Sequence, residues 1–141
     1  MRILCLDIGT KRIGVAVSDP FGWTAQPLAT IKRTTKMRDF DEILKYIRQT
    51  EAQKMVVGIP LDANGGIGQS ARKILEIVKE IEAFLRQLGC DVPVETWDES
   101  YSTADAQAHL IGADVSRKKR RRVIDKMAAV MILKDYLESK S

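Results

Sequence analysis

The chain has 141 residues, of which 45% are hydrophobic and 30% are charged. At this length we expect residues 1–141 to form a single domain, because a chain of this size buries roughly two-thirds of its unfolded surface. The apolar fraction excludes a disordered chain, and no apolar run approaches the about 20 residues of a membrane span. Two cysteines are too few for a disulfide framework, and no signal-peptide pattern opens the chain, so a cytoplasmic location is the default expectation.

The net charge of +4 comes from one short segment, here called the basic run. The basic run consists of six consecutive cations: Arg117, Lys118, Lys119, Arg120, Arg121 and Arg122. Without these six, 17 of the 23 basic residues remain against 19 acidic ones. The run is a candidate phosphate-binding patch, although blocks of like charge are more often solvated surface.

The first third of the sequence predicts three strands. The apolar residues 3–6 end at Asp7, as in a buried central strand that delivers this carboxylate at its carboxyl end. Residues 13–18 predict a second strand that forms a hairpin with the first, and residues 25–32 predict a third strand. Asp19, directly before Pro20, is expected to start a turn.

The rest of the chain predicts alternating helices and strands. In order, these are a helix over 36–50, a strand over 55–59, a Gly-rich loop over 61–68, a helix with Ser70 as its candidate N-cap and Gly89 at its end, a strand over 92–97, a short helix from Ser102 or Thr103 to Ile111, and a helix over about 123–137. This order predicts an α/β fold with a mixed five-stranded sheet, antiparallel in front and parallel at the back, flanked by helices.

Acidic residues stand where three of these elements could bring them together. Asp7 ends the first strand, Asp98 and Glu99 end the last strand, and Asp125 lies early in the final helix. Converging carboxylates repel one another unless a cation is bound among them, and oxygen donors alone favour Mg²⁺ or Mn²⁺. Since neighbouring strand residues point to opposite faces, only one of Asp98 and Glu99 is expected to be a direct ligand. Taken alone, Asp125 is better explained as an acid favoured by the helix dipole near the N-terminus of the final helix.

Other polar and aromatic residues carry weaker signals. Lys11 and Arg12, beside Asp7, are candidates for phosphate contact, with ordinary solvated charge an equal alternative. The only histidine, His109, falls on an alanine-rich predicted helix, where a surface or packing role is expected. Trp23 and Trp97 are expected to be core or edge residues, and base stacking is the less favoured alternative.

Four motifs in order resemble the YqgF (RuvX) family of Holliday-junction-resolvase-like proteins. They are D-I-G-T-K-R-I-G-V-A-V-S-D from Asp7, V-G-I-P-L-D-A-N-G-G from Val57, D-E-S-Y-S-T from Asp98 and I-D-K-M-A-A-V-M-I-L from Ile124. The resemblance covers essentially the whole chain. One departure is Ser100, where members of the family commonly carry Arg directly after the Asp-Glu pair.

The resemblance implies an RNase H-like fold and a divalent-metal nuclease that, in bacteria, processes the 5′ end of the 16S rRNA precursor. By motif, the acidic site falls on Asp7, on Glu99 or Asp98, and on Asp125. Two alternatives stay open: a resolvase of four-way DNA junctions, and a non-catalytic nucleic-acid-binding or ribosome-assembly module. Either a monomer or a homodimer fits the sequence, because a resolvase needs paired sites and an RNase does not.

Overall fold

A computed structural model describes residues 1–60, 66–98 and 117–140, and for 117–126 it describes the backbone only. The elements in chain order are β1 (Ile3–Ile8), β2 (Arg12–Ser18), β3 (Ala25–Lys32), α1 (Lys36–Thr50), β4 (Lys54–Ile59), α2 (Gln69–Gln87), β5 (Val94–Asp98) and α3 (Arg117–Lys140). The predicted short helix with His109, and residues 61–65 of the predicted loop, lie outside the described residues.

The five strands form one mixed sheet in the order β3-β2-β1-β4-β5. β1 pairs antiparallel with β2, which pairs antiparallel with β3, whereas β1 with β4 and β4 with β5 are parallel. The predicted antiparallel front and parallel back are therefore confirmed. β1 is the middle strand, which explains why its apolar residues form an unbroken run: both of its faces are covered.

The two faces of the sheet carry separate hydrophobic clusters. On one face, strand residues such as Leu6 and Val57 pack with α1 and α2, represented by Ile43 and Ile81. The opposite face packs against α3 through these residues: Ile3, Cys5, Ala16, Val56, Ala129, Ile132, Leu133 and Tyr136. Because β1 alternates between the two clusters, odd-numbered residues of this strand lie on the face of α3.

The start of α2 differs from the sequence prediction, whereas its end agrees with it. α2 begins at Gln69 with Gly68 as its N-cap, so Ser70 as the cap is wrong; Ser70 already lies in the first helical turn. Gly89 follows the end of α2 with φ +74°, the left-handed conformation for which glycine was predicted there.

α3 begins at Arg117, so the basic run forms the first turns of this helix instead of preceding it. Arg and Lys are good helix formers, and the chain has neither Gly nor Pro between Arg117 and Lys140. The apolar periodicity begins only where α3 packs on the sheet, which is why the sequence pattern marked the helix from residue 123. None of the helices described by the structure is long and apolar enough to span a membrane.

Candidate active site

Asp7 lies in a row of residues that crosses the sheet on the face of α3. It pairs with Gly14 of β2, and the parallel register of β1 with β4 carries it beside Gly58, which pairs with Trp97 of β5. Residues level with one another on neighbouring strands share a face. Glycine has no side chain, so neither neighbouring strand places a side chain directly beside the half-buried Asp7 carboxylate. Gly14 and Gly58 are themselves buried, so the row lies under the part of the fold that covers the face of α3.

Asp98 reaches the same edge of the sheet but lies on the opposite face. It pairs with Ile59, and Ile59 belongs to the cluster under α1 and α2. Val94, four residues earlier on the same strand, packs against that cluster as well. The structure therefore separates Asp98 from Asp7 by the thickness of the sheet, although both residues stand near strand ends.

The remaining predicted acids are described incompletely. Glu99 lies outside the described residues, and of Asp125 only its place in α3 is described. Ala128, Ala129 and Ile132, which follow Asp125 by three, four and seven positions, are fully buried. Ala128, Ala129 and Ile132 therefore mark the side of α3 that packs on the sheet. Among the described residues, no three His, Cys, Asp or Glu side chains are grouped to hold a metal ion.

A tight turn between β1 and β2 follows Asp7 directly. The backbone N–H of Gly9 donates to the carbonyl oxygen of Arg12 over 2.8 Å. A Cβ at Gly9 would lie 2.9 Å from that same oxygen, closer than real Cβ atoms come, so this approach requires glycine. The turn holds Lys11 and Arg12 at the edge of the sheet that carries Asp7.

Two further cations join them to form what we call the basic corner: Lys11, Arg12, Lys32 and Arg33. Arg12 pairs with Lys32 across β2 and β3, and the N–H of Arg33 donates to the carbonyl oxygen of Lys11 over 2.9 Å. The Arg33 guanidinium also donates to the Gly9 carbonyl oxygen over 2.6 Å. Sequence reasoning named Lys11 and Arg12 and missed the other two. The available signal was the antiparallel pairing, which places the end of the third strand beside the start of the second.

The C-terminal half of α3 is anchored to the sheet by a polar cluster, here called the anchor cluster: Lys54, Glu95 and Tyr136. The Tyr136 hydroxyl donates to Glu95 Oε2 over 2.6 Å and accepts a hydrogen bond from the Lys54 ammonium, which also pairs with Glu95 Oε2 at 2.6 Å. Hydrogen bonds from Lys54 and Tyr136 lower the pKa of Glu95, and those with Glu95 and Tyr136 raise the pKa of Lys54. Burial raises the pKa of the Tyr136 hydroxyl.

The two tryptophans have different environments. Trp97 meets the Tyr136 ring edge-on, with centroids 5.3 Å apart, and its indole N–H donates to Asp135 over 2.8 Å, so it is an edge residue as predicted. Trp23 is 78% exposed in the turn between β2 and β3, so the prediction that it packs in the core or along the sheet is wrong. The turn carries Trp23 past the end of both strands, where no other element covers it in the described part of the chain.

Sequence comparison relates the whole chain to one family. The profile of the RuvX family, described as a Holliday junction resolvase, matches residues 1–139. A relative from Desulforamulus reducens is 45% identical over 139 residues, covering 99% of this chain and 98% of the relative. A relative from Shouchella clausii is 48% identical over 145 residues, covering 100% and 97%. Both relatives carry the name "Putative pre-16S rRNA nuclease".

Two solved resolvase structures share this architecture. Thermus thermophilus RuvC in complex with a Holliday junction substrate superposes with a TM-score of 0.59 at 14% identity, over 99% of this chain and 95% of that chain. Fowlpox virus resolvase in complex with its substrate Holliday junction DNA gives 0.58 at 16% identity, over 99% of both chains. At these identities the likeness establishes the fold alone and confirms the predicted RNase H-like architecture. Together with the family match, it follows that the chain belongs to the RuvX family and is a nuclease, a hydrolase of phosphodiester bonds.

Proposed function

We propose that this protein is a divalent-metal-dependent endonuclease that processes the 5′ end of precursor 16S rRNA. The observation that carries the catalytic part is the position of Asp7 between Gly14 and Gly58 on the face of α3. A half-buried carboxylate near the carboxyl end of the central strand, level with glycines on both adjoining strands, is a position from which a cation could be shared with acids of other elements. The name carried by relatives at 45% and 48% identity supports the substrate.

We assign the second acid to Glu99 because Asp98 lies on the wrong face. Asp98 shares its face with Ile59 and the cluster under α1 and α2, so it cannot serve a cation held by Asp7. The third acid is Asp125, which precedes the fully buried Ala128 and Ala129 by three and four positions in the sequence of α3. Small alanines allow this part of α3 to approach the sheet closely.

The donors of this proposed site are all carboxylate oxygens, which suit Mg²⁺ or Mn²⁺. Asp7, Glu99 and Asp125 would hold the ion, which when bound supplies an activated water and stabilises the leaving oxygen. The chain itself contributes orientation, because β1 is hydrogen-bonded on both sides and cannot shift Asp7 independently of the sheet. The basic corner and the basic run bind the phosphates that flank the cleaved bond.

A second candidate is resolution of four-way DNA junctions, favoured by the description of the family profile. Such an enzyme cuts two symmetric strands and therefore needs a homodimer with paired sites, whereas an RNase does not require one. A third candidate is a non-catalytic module that binds ribosomal precursor particles. For each of these three candidate functions, we propose that residues 1–141 act as one domain. We also propose a cytoplasmic location, because precursor rRNA and chromosomal DNA are both present there in bacteria.

The decisive experiment compares substrates and carboxylate variants. Purified protein with Mg²⁺ or Mn²⁺ is offered a precursor 16S rRNA 5′ fragment, an unrelated single-stranded RNA and a four-way DNA junction. We expect the rRNA fragment to be cut, Asp7→Asn and Glu99→Gln to lower the rate by roughly 100-fold or more, and the matched control Asp98→Asn to keep it. All three substrates remaining intact would contradict catalysis. Loss of activity in Asp98→Asn with an active Glu99→Gln would reverse the assignment of the second acid.

A further inference from the structure

Two aromatic side chains form an exposed stacked pair that the catalytic proposal does not use. Phe21 and Trp23 are 72% and 78% exposed, and their ring centroids lie 5.2 Å apart with an interplanar angle of 29°. We call this pair the aromatic platform. Neither ring belongs to the two hydrophobic clusters of the described chain, so the platform contributes little to the core.

The turn that carries the platform is rigid before any ligand arrives. The Asp19 carboxylate accepts hydrogen bonds from the backbone N–H groups of Phe21, Trp23 and Thr24 over 3.0, 2.9 and 3.2 Å, and from the Thr24 hydroxyl over 2.8 Å. The bond from the Trp23 N–H is the largest of several that lower the pKa of Asp19, so its negative charge is held by the turn itself. Gly22 supplies the left-handed residue, with φ +74°. A preformed turn avoids the ordering cost that flexible binding loops incur.

The size of the platform decides which kind of partner it fits. Two exposed aromatic rings present on the order of 300 Å². A stable protein interface buries about 800 Å² on each partner, so the platform is too small to be the core of one. A single unpaired base, in contrast, needs only one ring face, and stacking is effective with every base because each has a π-face.

Charge along the neighbouring edge of the sheet favours a nucleic acid. β3 is an edge strand that runs from the platform at Ala25 to the basic corner at Lys32, and its sequence contains no Asp or Glu. A polyanion that follows β3 itself would meet Lys32 and Arg12 at one end and aromatic rings at the other, whereas the acids of α1, Asp39, Asp41 and Glu42, lie to the side of the end near Lys32. From Gly14, the partner of Asp7, β2 rises about 13 Å to Ser18 at the base of the turn. Bases on the platform would thus be several nucleotides from the cleaved bond.

We infer that Phe21 and Trp23 form a stacking site for unpaired bases of the substrate, reached along the edge of β3 and separate from the catalytic edge. The inference rests on the proposed function in taking RNA with a single-stranded flank as the ligand. It predicts selectivity for single-stranded over duplex RNA, because paired bases are already stacked within the helix. It also predicts that binding at the platform is independent of salt, unlike binding at the basic corner and the basic run.

Tryptophan fluorescence tests the inference directly, because the chain has two tryptophans and Trp23 is the exposed one. The reporter is Asp7→Asn with Trp97→Phe, which keeps the RNA intact and leaves Trp23 as the sole emitter. Titration with single-stranded oligoadenylate is expected to quench this emission. The oligoadenylate concentration at half-maximal quenching should equal the concentration at half-maximal binding, measured by the fluorescence anisotropy of the labelled RNA. Oligoadenylate paired to oligouridylate is expected to bind without quenching.

Affinity measurements then separate stacking from other effects. In the Asp7→Asn background, Phe21→Ala with Trp23→Ala is expected to weaken single-strand binding by roughly fivefold to 150-fold per stacked base, without changing the slope against salt or the duplex affinity. Trp23→Phe, which keeps a ring, is expected to retain most of the affinity. Leu88→Ala, which removes an exposed apolar side chain at the end of α2, is the matched control and is expected to change nothing.

Three results would overturn the inference. The first is absence of quenching at oligoadenylate concentrations that saturate anisotropy. The second is an equal loss of single-strand and duplex affinity in the double alanine variant. The third is a change of sedimentation of the free protein in that variant, which would identify the platform as a contact between copies of the chain. The proposed function can fail independently of this inference. If the wild-type protein cleaves none of the substrates, the quenching and affinity measurements can still be made, because they need binding and not cleavage.

Discussion

Replacing Tyr136 with Phe tests how α3 is fixed to the sheet. The change removes the hydroxyl that joins Glu95 to Lys54 and leaves the ring, which is 2% exposed, against Trp97. A hydrogen bond to a charged group is worth about 1.5–3 kcal/mol. In Tyr136→Phe the ion pair between Lys54 Nζ and Glu95 Oε2, 2.6 Å apart, remains. The Glu95 and Lys54 side chains are 35% and 27% exposed, so water can replace part of the hydrogen bonding that the hydroxyl supplied. We therefore expect a loss of about 1–2 kcal/mol in the free energy of unfolding.

For a chain of this length, that loss lowers Tm by about 3–8 °C in thermal denaturation followed by circular dichroism. Tyr136→Ala, which also removes the buried ring, is expected to cost about 3–5 kcal/mol. Tyr46→Phe, at a half-buried tyrosine of α1, is the matched control for removing a hydroxyl and is expected to leave Tm nearly unchanged.

The effect of Tyr136→Phe should depend on pH with a definite sign. The pKa of Glu95 is lowered in the folded protein, so its contribution is present above the ordinary value of 4.5 and is lost as the pH falls through the lower native value. The pKa of Lys54 is raised, so its contribution is present below the ordinary value of 10.5 and is lost as the pH rises through the higher native value. The Tm difference between the wild type and Tyr136→Phe should therefore shrink below about pH 4.5. A wild-type Tm in the variant at pH 7, or a difference that persists unchanged to acid pH, would refute this account.

Three further outcomes follow from the same structure. Gly14→Val adds a side chain level with Asp7 at a buried position and is expected to reduce cleavage by roughly 10-fold or more, with a loss of about 1–3 kcal/mol in stability from overpacking; a full rate measured at equal folded protein would contradict the place of Asp7 in the site. Lys11→Gln with Lys32→Gln is expected to reduce the slope of log affinity against log salt by about 0.7 per lost contact on single-stranded RNA, and neutralising the basic run should flatten it further; an unchanged slope would assign these cations to solvated surface. Ile132→Ala, at a fully buried position under the sheet, is expected to cost about 2–5 kcal/mol by denaturant titration, and a loss below 1 kcal/mol would mean that α3 packs loosely there.

The elements that bury a regular apolar pattern were predictable from local sequence. The unbroken apolar run of β1 and the helical periodicity of α1 and α2 each reflect burial against a sheet, and their predicted positions agree with the structure. The start of α3 was not predictable in this way, because the turns that hold the basic run carry no apolar stripe. A helical turn made only of cations gives no amphipathic period from which its boundary could be predicted.

The sequence by itself determined that Asp7 closes a buried strand, that glycines follow in the next strands, and that cations cluster in short segments, since these are properties of neighbouring residues. Only the tertiary structure decided which residues share a face or an edge. The register of β4 with β5 placed Asp98 away from Asp7, the pairing of β2 with β3 brought Lys32 and Arg33 to Lys11, and the turn after β2 exposed Trp23. Each of these depends on contacts between strands distant in sequence, and a shift of one residue in such a pairing reverses the face of every side chain in the strand.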